Sequence, residues 1–289
     1  MEGISVIIPA LNEEHAIGAV IEEIKSNLTK ACKEFEIIVV NDGSTDRTGQ
    51  VAQEKGSKLL KHPISAGYGA SINDGLKQAK YNGVVIVDAD GTYPIAKIPE
   101  LISYLGEFDM VVGARTGKNY RGSLLKHPLR KFFKLLCEFV TGVQIPDANS
   151  GLRAFKKDVV MKFEDNFCPG FSFTTTITLA LHLNGYFVKY LPIEYYKRKG
   201  RSNIKMFRDT LRATQIITQA ILYYNPIKLF LLLTIVTFSL SMLLLVLSIL
   251  MQSLSALLFS VSLFTVSFLF FGMGLLADAI VRSKRCFNK

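Results

Sequence analysis

A chain of 289 residues that is 49% hydrophobic can bury a full domain core and still have apolar material to spare. Its four cysteines (Cys32, Cys137, Cys168 and Cys286) lie far apart with no CxxC pair, which argues against a disulfide framework or zinc cluster and fits reduced thiols in a cytosolic domain. The net charge of +10 calls for an anionic partner, and with no nucleic-acid motif in the chain, lipid headgroups or a phosphorylated substrate are favoured over nucleic acid.

The N-terminus, MEGISVIIPALNEE, has no basic n-region and only a short apolar run broken by Pro9, so it does not read as a signal peptide. Ile4 to Pro9 reads as a buried strand, and Asn12-Glu13-Glu14 as the opening of a helix to about Leu28, with acids in its first turn. A second strand, Glu36 to Val40, ends in Asn41-Asp42-Gly43-Ser44-Thr45-Asp46, where Ser44 or Thr45 is suited to cap a helix running to about Lys55. A short strand near Ser57 to Leu60 leads through Ser65-Ala66-Gly67-Tyr68-Gly69 into a helix over Ala70 to Ala79. Val84 to Val87, an unbroken β-branched run after Asn82-Gly83, reads as a strand buried on both faces. This alternation of strand and helix predicts a doubly wound, mainly parallel α/β sheet.

The Val84 strand ends in Asp88-Ala89-Asp90. At a strand's carboxyl end both carboxylates can turn into the crevice beyond the sheet, where open α/β sheets bind ligands. Hard oxygen donors this close suit Mg²⁺ or Mn²⁺ holding a substrate phosphate, although a lone Asp-x-Asp is often only a solvated turn. Asn12-Glu13 and Asp42-Gly43 end two other strands, so the three together predict a nucleotide site, with Asp42 accepting from a base or ribose. A dinucleotide oxidoreductase is disfavoured: the first turn, PALNEE, lacks GxGxxG, and Gly67-Tyr68-Gly69 comes too late.

Asp109 to Ala114 predicts another strand, ending at Arg115. From Arg115 to Lys134 there are seven Lys or Arg and no acid, while Leu124, Leu125, Leu129, Phe132, Phe133, Leu135, Leu136 and Phe139 recur at near-helical spacing. That pattern suits a basic amphipathic helix in the headgroup region, the alternative being a solvated basic face packed on the sheet. Pro146 to Phe155 is a polar loop running into a short strand, Thr174 to Asn184 a helix, and Gly185 to Tyr196 two short strands broken at Pro192. The basic loop Lys197 to Lys205 leads to a second amphipathic helix, Met206 to Tyr224. Leu229 to Leu250 and Leu254 to Ala277 carry no charge, and each is long enough to cross a hydrocarbon core of about 30 Å. Only Met251, Gln252 and Ser253 separate them, so a hairpin is expected. Lys228 precedes it, Arg282, Lys284, Arg285 and Lys289 follow it, and its tip is uncharged, which places both termini in the cytoplasm. Phe271-Gly272-Met273-Gly274 offers a small-residue surface on which spans of a homo-oligomer can pack. The expected division is a cytosolic domain over 1–200, a basic loop and interface helix over 201–226, two spans within 227–281 and a basic tail over 282–289.

Assembled, VIIPALNEE up to Glu14, IIVVNDGSTDRT (Ile37 to Thr48), DADGTYP (Asp88 to Pro94), GAR (Gly113 to Arg115), DANSGLRAF (Asp147 to Phe155) and RKGRSNIK (Arg198 to Lys205) resemble the family 2 glycosyltransferases. Within them, the chain is similar to the polyprenyl-phosphate sugar synthases related to dolichyl-phosphate mannose synthase. The resemblance implies a GT-A-type (Rossmann-like) domain that moves a sugar from a nucleotide-sugar to polyprenyl or dolichyl phosphate. It implies that Pro9, Asn12, Glu13, Asp42, Gly67, Asp88, Ala89 and Asp90 line the nucleotide-sugar site, with Mg²⁺ or Mn²⁺ on Asp88 and Asp90. It implies further that Arg115 and Arg130 grip the acceptor phosphate, aided by Arg153 and by Arg198, Ser202 and Lys205 on a closing loop. Mannose synthases of this group carry Gln where this chain has Thr92, and the DADGTYP form looks more like relatives using UDP-linked glucose or N-acetylhexosamine.

The chemistry is consistent with that assignment. A lipid monophosphate, with a second pKa of about 6, is mostly ionised at neutral pH and needs positioning more than a base. In-line displacement of a nucleoside diphosphate predicts inversion at the anomeric carbon. The residues expected to carry it are Asp90, Asp147, Arg115 and Arg130, with Asp147 either a base or orienting carboxylate, or a partner that fixes Arg153. The alternatives are a non-catalytic membrane-bound binding module and a transferase with another lipid or glycan acceptor.

Overall fold

The computed structural model describes residues 3–31, 34–117, 127–164, 173–197, 215, 218, 222 and 225–287, without the side chains of 127–130, 132 and 284–287. The chain divides into two compact units, residues 1–214 and 215–289.

The first unit is built on a seven-stranded mixed sheet in the order β3-β2-β1-β4-β6-β5-β7. Its strands are β1 (Ile4–Ala10), β2 (Phe35–Asn41), β3 (Lys58–Lys61), β4 (Gly83–Ile86), β5 (Met110–Thr116), β6 (Arg153–Lys156) and β7 (Val188–Glu194). All neighbours run parallel except β6, which lies antiparallel between β4 and β5. Every residue of β1 is buried, as its largely apolar sequence favours, and the one hydroxyl, Ser5, donates to Glu36 Oε1 at 2.7 Å. Val6 and Ile8 join Ile17, Val20, Ile21, Ile24 and Leu28 of α1 (Ile17–Ala31) in one core cluster. Ile7, on the opposite face, meets α3 (Tyr68–Gln78) at Gly75, so helices cover both faces of the sheet. The other helices of this unit are α2 (Thr48–Glu54), α4 (Ile98–Ser103), α5 (His127–Thr141), α6 (Lys157–Met161) and α7 (Phe173–Leu183).

Three local expectations are corrected. Asn12-Glu13-Glu14 do not open α1. The helix starts at Ile17: Asn12 takes a left-handed φ of 57°, the Glu13 carbonyl accepts the Ala16 and Ile17 amides in the turn before it, and the Glu13 and Glu14 amides donate across to Thr48 Oγ1 and Asp46 Oδ2. Ser44 and Thr45 do not cap α2; the Thr48 amide and hydroxyl donate to Asp46 Oδ1. Residues 185–196 hold one strand, not two. Pro192 sits within β7 because β7 is an edge strand, with only β5 beside it among the described residues, where a missing amide hydrogen breaks no ladder on the open side.

The second unit is a helical hairpin of α8 (Pro226–Met251) and α9 (Leu254–Phe287), both long and apolar enough to cross a membrane. Gln252, at φ 47°, caps α8, and the Ser253 amide donates to the Ser248 carbonyl to close the turn. Polarity is inside out. Ser241, Ser248, Ser260 and Ser267 are buried, whereas Ile249, Leu250, Leu254, Phe259 and Phe268 are exposed. Ser241 and Ser260 each donate to the other's carbonyl, at 2.9 and 3.0 Å. Of the expected small-residue surface, Gly274 is taken up inside the hairpin, where a Cβ would lie 2.7 Å from Phe230 Cβ, while Gly272 faces open space. Residues 206–214 of the second amphipathic helix lie outside the described residues, as do most of 215–224.

A Cβ on Gly75 would lie 2.5 Å from Ile7 Cγ2 in the sheet core. Gly75→Ala gains about 1 kcal/mol of helix propensity and incurs about 1–3 kcal/mol of overpacking, so it should lower the thermal midpoint. In an Ile7→Ala background the clash is gone, and the same change should be neutral or stabilising. Thermal unfolding of the four variants measures the coupling.

Candidate active site

The carboxyl ends of the parallel strands gather the polar residues, and the first two ends are laced together. Asn12 accepts the Thr45 amide and hydroxyl on Oδ1, and its own amide donates to Ser44 Oγ. Asn tolerates the left-handed conformation this requires better than most non-glycine residues. Pro9 stands in a central strand, yet beyond the β4 ladder, which stops at Ile7 opposite Ile86. Its missing amide hydrogen therefore costs no bond to β4.

Asp42, at the end of β2, is buried and carries four partners. His62 Nδ1 and the Ala66 amide lie at 2.7 Å from Oδ1, and Ser65 Oγ and the Gly67 amide at 2.8 and 3.0 Å from Oδ2. Burial alone would raise the carboxyl's pKa, but the bonds from His62, Ser65, Ala66 and Gly67 outweigh it and hold the group below its ordinary value. Gly67, at φ 102°, permits the turn that brings its amide there, and α3 starts at the next residue.

Beyond β4, Asp88 and Asp90 flank the buried Ala89. Asp88 Oδ1 accepts the Tyr68 hydroxyl at 2.9 Å; burial, then the Asp88 charge, raise that phenol well above its usual range. Asp90 Oδ1 accepts both the amide and the hydroxyl of Thr92, at 3.1 and 2.6 Å. Thr92 is fully buried, and its carbonyl accepts the Tyr196 amide. Gly151 presses on Asp88 from the loop before β6: a Cβ there would lie 2.5 Å from Asp88 Oδ1, and the Gly151 amide donates to the Tyr93 hydroxyl at 2.7 Å.

The same loop reaches the end of β5. Asp147 forks onto Arg115, with Nε at 2.7 Å from Oδ2 and Nη2 at 2.9 Å from Oδ1, and also accepts the amides of Arg115 and Asn149. The guanidinium lies over the Tyr195 ring at 5.5 Å, and Tyr195 meets Tyr93 edge-on. Asp147 therefore engages Arg115, and the expectation that it fixes Arg153 is corrected. Arg153 itself is fully buried. Its Nε donates to the Ser150 carbonyl, Nη1 to the Thr174 carbonyl and Thr178 Oγ1, and Nη2 to the carbonyls of Ala148 and Ser150. A guanidinium with all five N–H groups used and no access to solvent has none to give an acceptor phosphate. Arg153 is a strut of the loop, not a phosphate ligand. The Arg130 side chain and all of Arg198, Ser202 and Lys205 lie outside the described residues.

Residues 5–163 match the model of glycosyl transferase family 2. The chain belongs to this family. Among curated relatives, it is 31% identical over 217 residues to the low-salt glycan biosynthesis hexosyltransferase Agl6 of Haloferax volcanii, covering 72% of this chain and 51% of that one. It is 28% identical over 208 residues to the dolichyl-phosphate hexose transferase of the same organism, covering 71% and 88%. The chain thus spans about half the length of the first relative and most of the second. Glucosyl-3-phosphoglycerate synthase of Mycobacterium tuberculosis, solved with Mn²⁺, uridine diphosphate and glucosyl-3-phosphoglycerate, shares the fold at a TM-score of 0.61 and 20% identity, covering 76% and 80%.

In this family 2 chain, Asp88 and Asp90 are hard donors suited to a divalent ion, and the described residues form no cluster of three metal-binding side chains. Such an ion would take its remaining ligands from a bound diphosphate and water, which suits Mg²⁺ or Mn²⁺. The missing side chain of Gly151 leaves room at Asp88. Tyr68, Thr92, Gly151 and Tyr195 carry no reactive signature in the sequence, and only the structure brings the first three to the acids and Tyr195 to Arg115.

Thr92→Val removes the 2.6 Å bond that orients Asp90 while keeping the side chain's shape. It should weaken Mn²⁺ binding about 10- to 100-fold, whereas Thr92→Ser stays near wild type. Titration followed by the Mn²⁺ paramagnetic resonance signal decides, and equal affinity in the valine variant would refute this role for Thr92.

Proposed function

We propose that the chain is a membrane-anchored inverting glycosyltransferase that moves a sugar from a nucleotide-sugar, a UDP-sugar in preference to GDP-mannose, to the phosphate of a polyprenyl or dolichyl carrier. The observation that carries this reading is the single loop over residues 147–151, which contacts Arg115 at one end and Asp88 at the other. Acids suited to a metal-bound diphosphate and a cation suited to an incoming phosphate are thereby placed on one sheet edge. The dolichyl-phosphate hexose transferase of H. volcanii supports the choice of acceptor, and the C-terminal hairpin supports a substrate that resides in a bilayer. The positive-inside pattern supports a cytoplasmic side for the transferase unit and both termini.

Asp88 and Asp90 would hold a divalent ion, which would supply positive charge at the diphosphate. The protein's residues do the positioning. Asp42 shapes the 65–67 backbone, Tyr68 and Gly151 locate Asp88, and Thr92 locates Asp90. Asp147 orients Arg115 toward the acceptor phosphate through a bidentate fork, and Arg130, Arg198, Ser202 and Lys205 supply further contacts to it. With four hydrogen bonds already accepted, Asp147 orients and does not remove a proton. The acceptor oxygen, ionised at neutral pH, does not require that it should.

The test is purified full-length protein in detergent with Mn²⁺ and a short polyprenyl phosphate, offered radiolabelled UDP-glucose, UDP-N-acetylglucosamine or GDP-mannose. Label is expected in the extracted lipid from a UDP-sugar, lost with chelator and in Asp90→Ala. Label from GDP-mannose alone would overturn the donor assignment, and no labelled lipid from any donor would overturn the reaction.

A further inference from the structure

His62 follows β3 and continues its pairing with β2, its amide donating to the Asn41 carbonyl at 3.0 Å. Its ring is largely enclosed and spans two elements. Nδ1 lies 2.7 Å from Asp42 Oδ1 at the end of β2, and Nε2 lies 3.1 Å from Asp74 Oδ2 on α3. Both partners are carboxylates, which only accept. A neutral imidazole carries one N–H, so one of its nitrogens would point a lone pair at a carboxylate oxygen. The geometry is satisfied on both sides only by the imidazolium. Among the described residues, Asp42 and Asp74 are the charged groups that face the ring; Lys77, one turn beyond Asp74, is paired with Glu164. Asp42 in turn holds Ser65 and the amides of Ala66 and Gly67, and the next residue, Tyr68, reaches Asp88. The ring therefore ties α3 to the strand end that shapes the nucleotide side of the site.

We propose that His62 is a positioning residue for donor binding: as the imidazolium it clamps Asp74 of α3 to Asp42, and this clamp sets the 65–68 segment against which the nucleotide-sugar binds. The role rests on the nucleotide-sugar reading of the site. Burial would lower the ring's pKa, but the Asp42 and Asp74 bonds and charges raise it above 6.5. The clamp is therefore complete below pH 6.5 and is lost as pH rises through the folded-state value. The Asp74 bond breaks first, because Asp74 is half exposed and can turn into water, whereas Asp42 is enclosed.

Calorimetric binding of UDP-glucose, or of GDP-mannose if that is the donor bound, to the full-length protein between pH 6 and 9 tests this. Wild-type affinity should fall on the order of tenfold across the titration of the ring, in proportion to one charged hydrogen bond lost. His62→Gln should bind weakly at every pH. Asp74→Asn should bind as wild type does at low pH and keep that affinity to pH 9, because an Asn amide can donate to neutral Nε2 while Nδ1–H holds Asp42. A merely structural histidine would not make the Asn variant insensitive to pH. The His62 resonance, assigned by its loss in His62→Gln, should titrate above 6.5 without nucleotide and drop in Asp74→Asn. Binding unaffected by His62→Gln, or a wild-type resonance titrating at or below 6.5, would overturn the role of His62 alone. No binding of either sugar nucleotide to wild type would overturn the nucleotide site, and this role with it.

Discussion

A guanidinium sealed from water, at the start of the one strand that runs against its neighbours, fixes the edge on which the site depends. Arg153 begins β6, whose antiparallel course brings its preceding loop to the carboxyl ends of β4 and β5. Enclosing a cation is costly, and burial pulls its pKa down. The cost is offset because every N–H meets an acceptor, three of them carbonyl bonds to Ala148 and Ser150 in that loop. Ser150 Oγ then donates to the Gly113 carbonyl at 2.6 Å, and the Gly113 amide to the Leu152 carbonyl at 2.9 Å. A loop held at so many backbone points has little freedom left, so Asp147 and Gly151 land on Arg115 and Asp88.

The acids at this edge divide into two kinds. Asp42 and Asp147 each accept four hydrogen bonds from the chain and act on it, shaping the 65–67 turn and the Arg115 fork. The charge of Asp42 is stabilised in place, as its lowered pKa records. Asp88 and Asp90 are oriented through Oδ1 by neutral donors, the Tyr68 hydroxyl for Asp88 and the hydroxyl and amide of Thr92 for Asp90. Neutral donors orient a carboxylate without setting a counter-charge beside it, which suits hard oxygen donors for a divalent ion. This division suits a transferase whose nucleophile arrives already ionised: precision falls to the rigid acids and charge to the oriented ones.

Strand ends were legible because composition marks them. An unbroken run such as Val84 to Val87 followed by Asp88 reads as a buried strand opening on a crevice, and β1, β2 and β5 gave the same signal. Two uncharged stretches after Lys228 similarly announced the hairpin. What failed depended on partners distant in sequence. Glu13 and Glu14 look like first-turn acids, but the left-handed Asn12, tied to Ser44 and Thr45, delays α1 to Ile17. Pro192 looks like a break until β7 proves to be an edge. Arg153 looks like a phosphate ligand in an Asn-Ser-Gly-Leu-Arg motif, because its sequence does not reveal that Thr174 and Thr178 on α7 take two of its donors. His62 gave no signal at all, since its meaning lies in two acids 20 residues before and 12 residues after it.

The hairpin completes the division of roles by what it lacks. Helices in hydrocarbon must satisfy their polar groups internally. Here Ser241 and Ser260 bond to each other's carbonyls, and Thr234, Thr237, Ser248 and Ser267 return theirs to carbonyls of their own helix. The exterior is dominated by large apolar side chains, and the exposed Ser262 and Thr265 likewise return their hydroxyls to carbonyls of their own helix. A hairpin whose hydroxyls close on themselves is poorly equipped to conduct a sugar or a phosphate across a bilayer. It can hold an attached unit at a lipid surface, which is what a transferase acting on a membrane-borne phosphate requires.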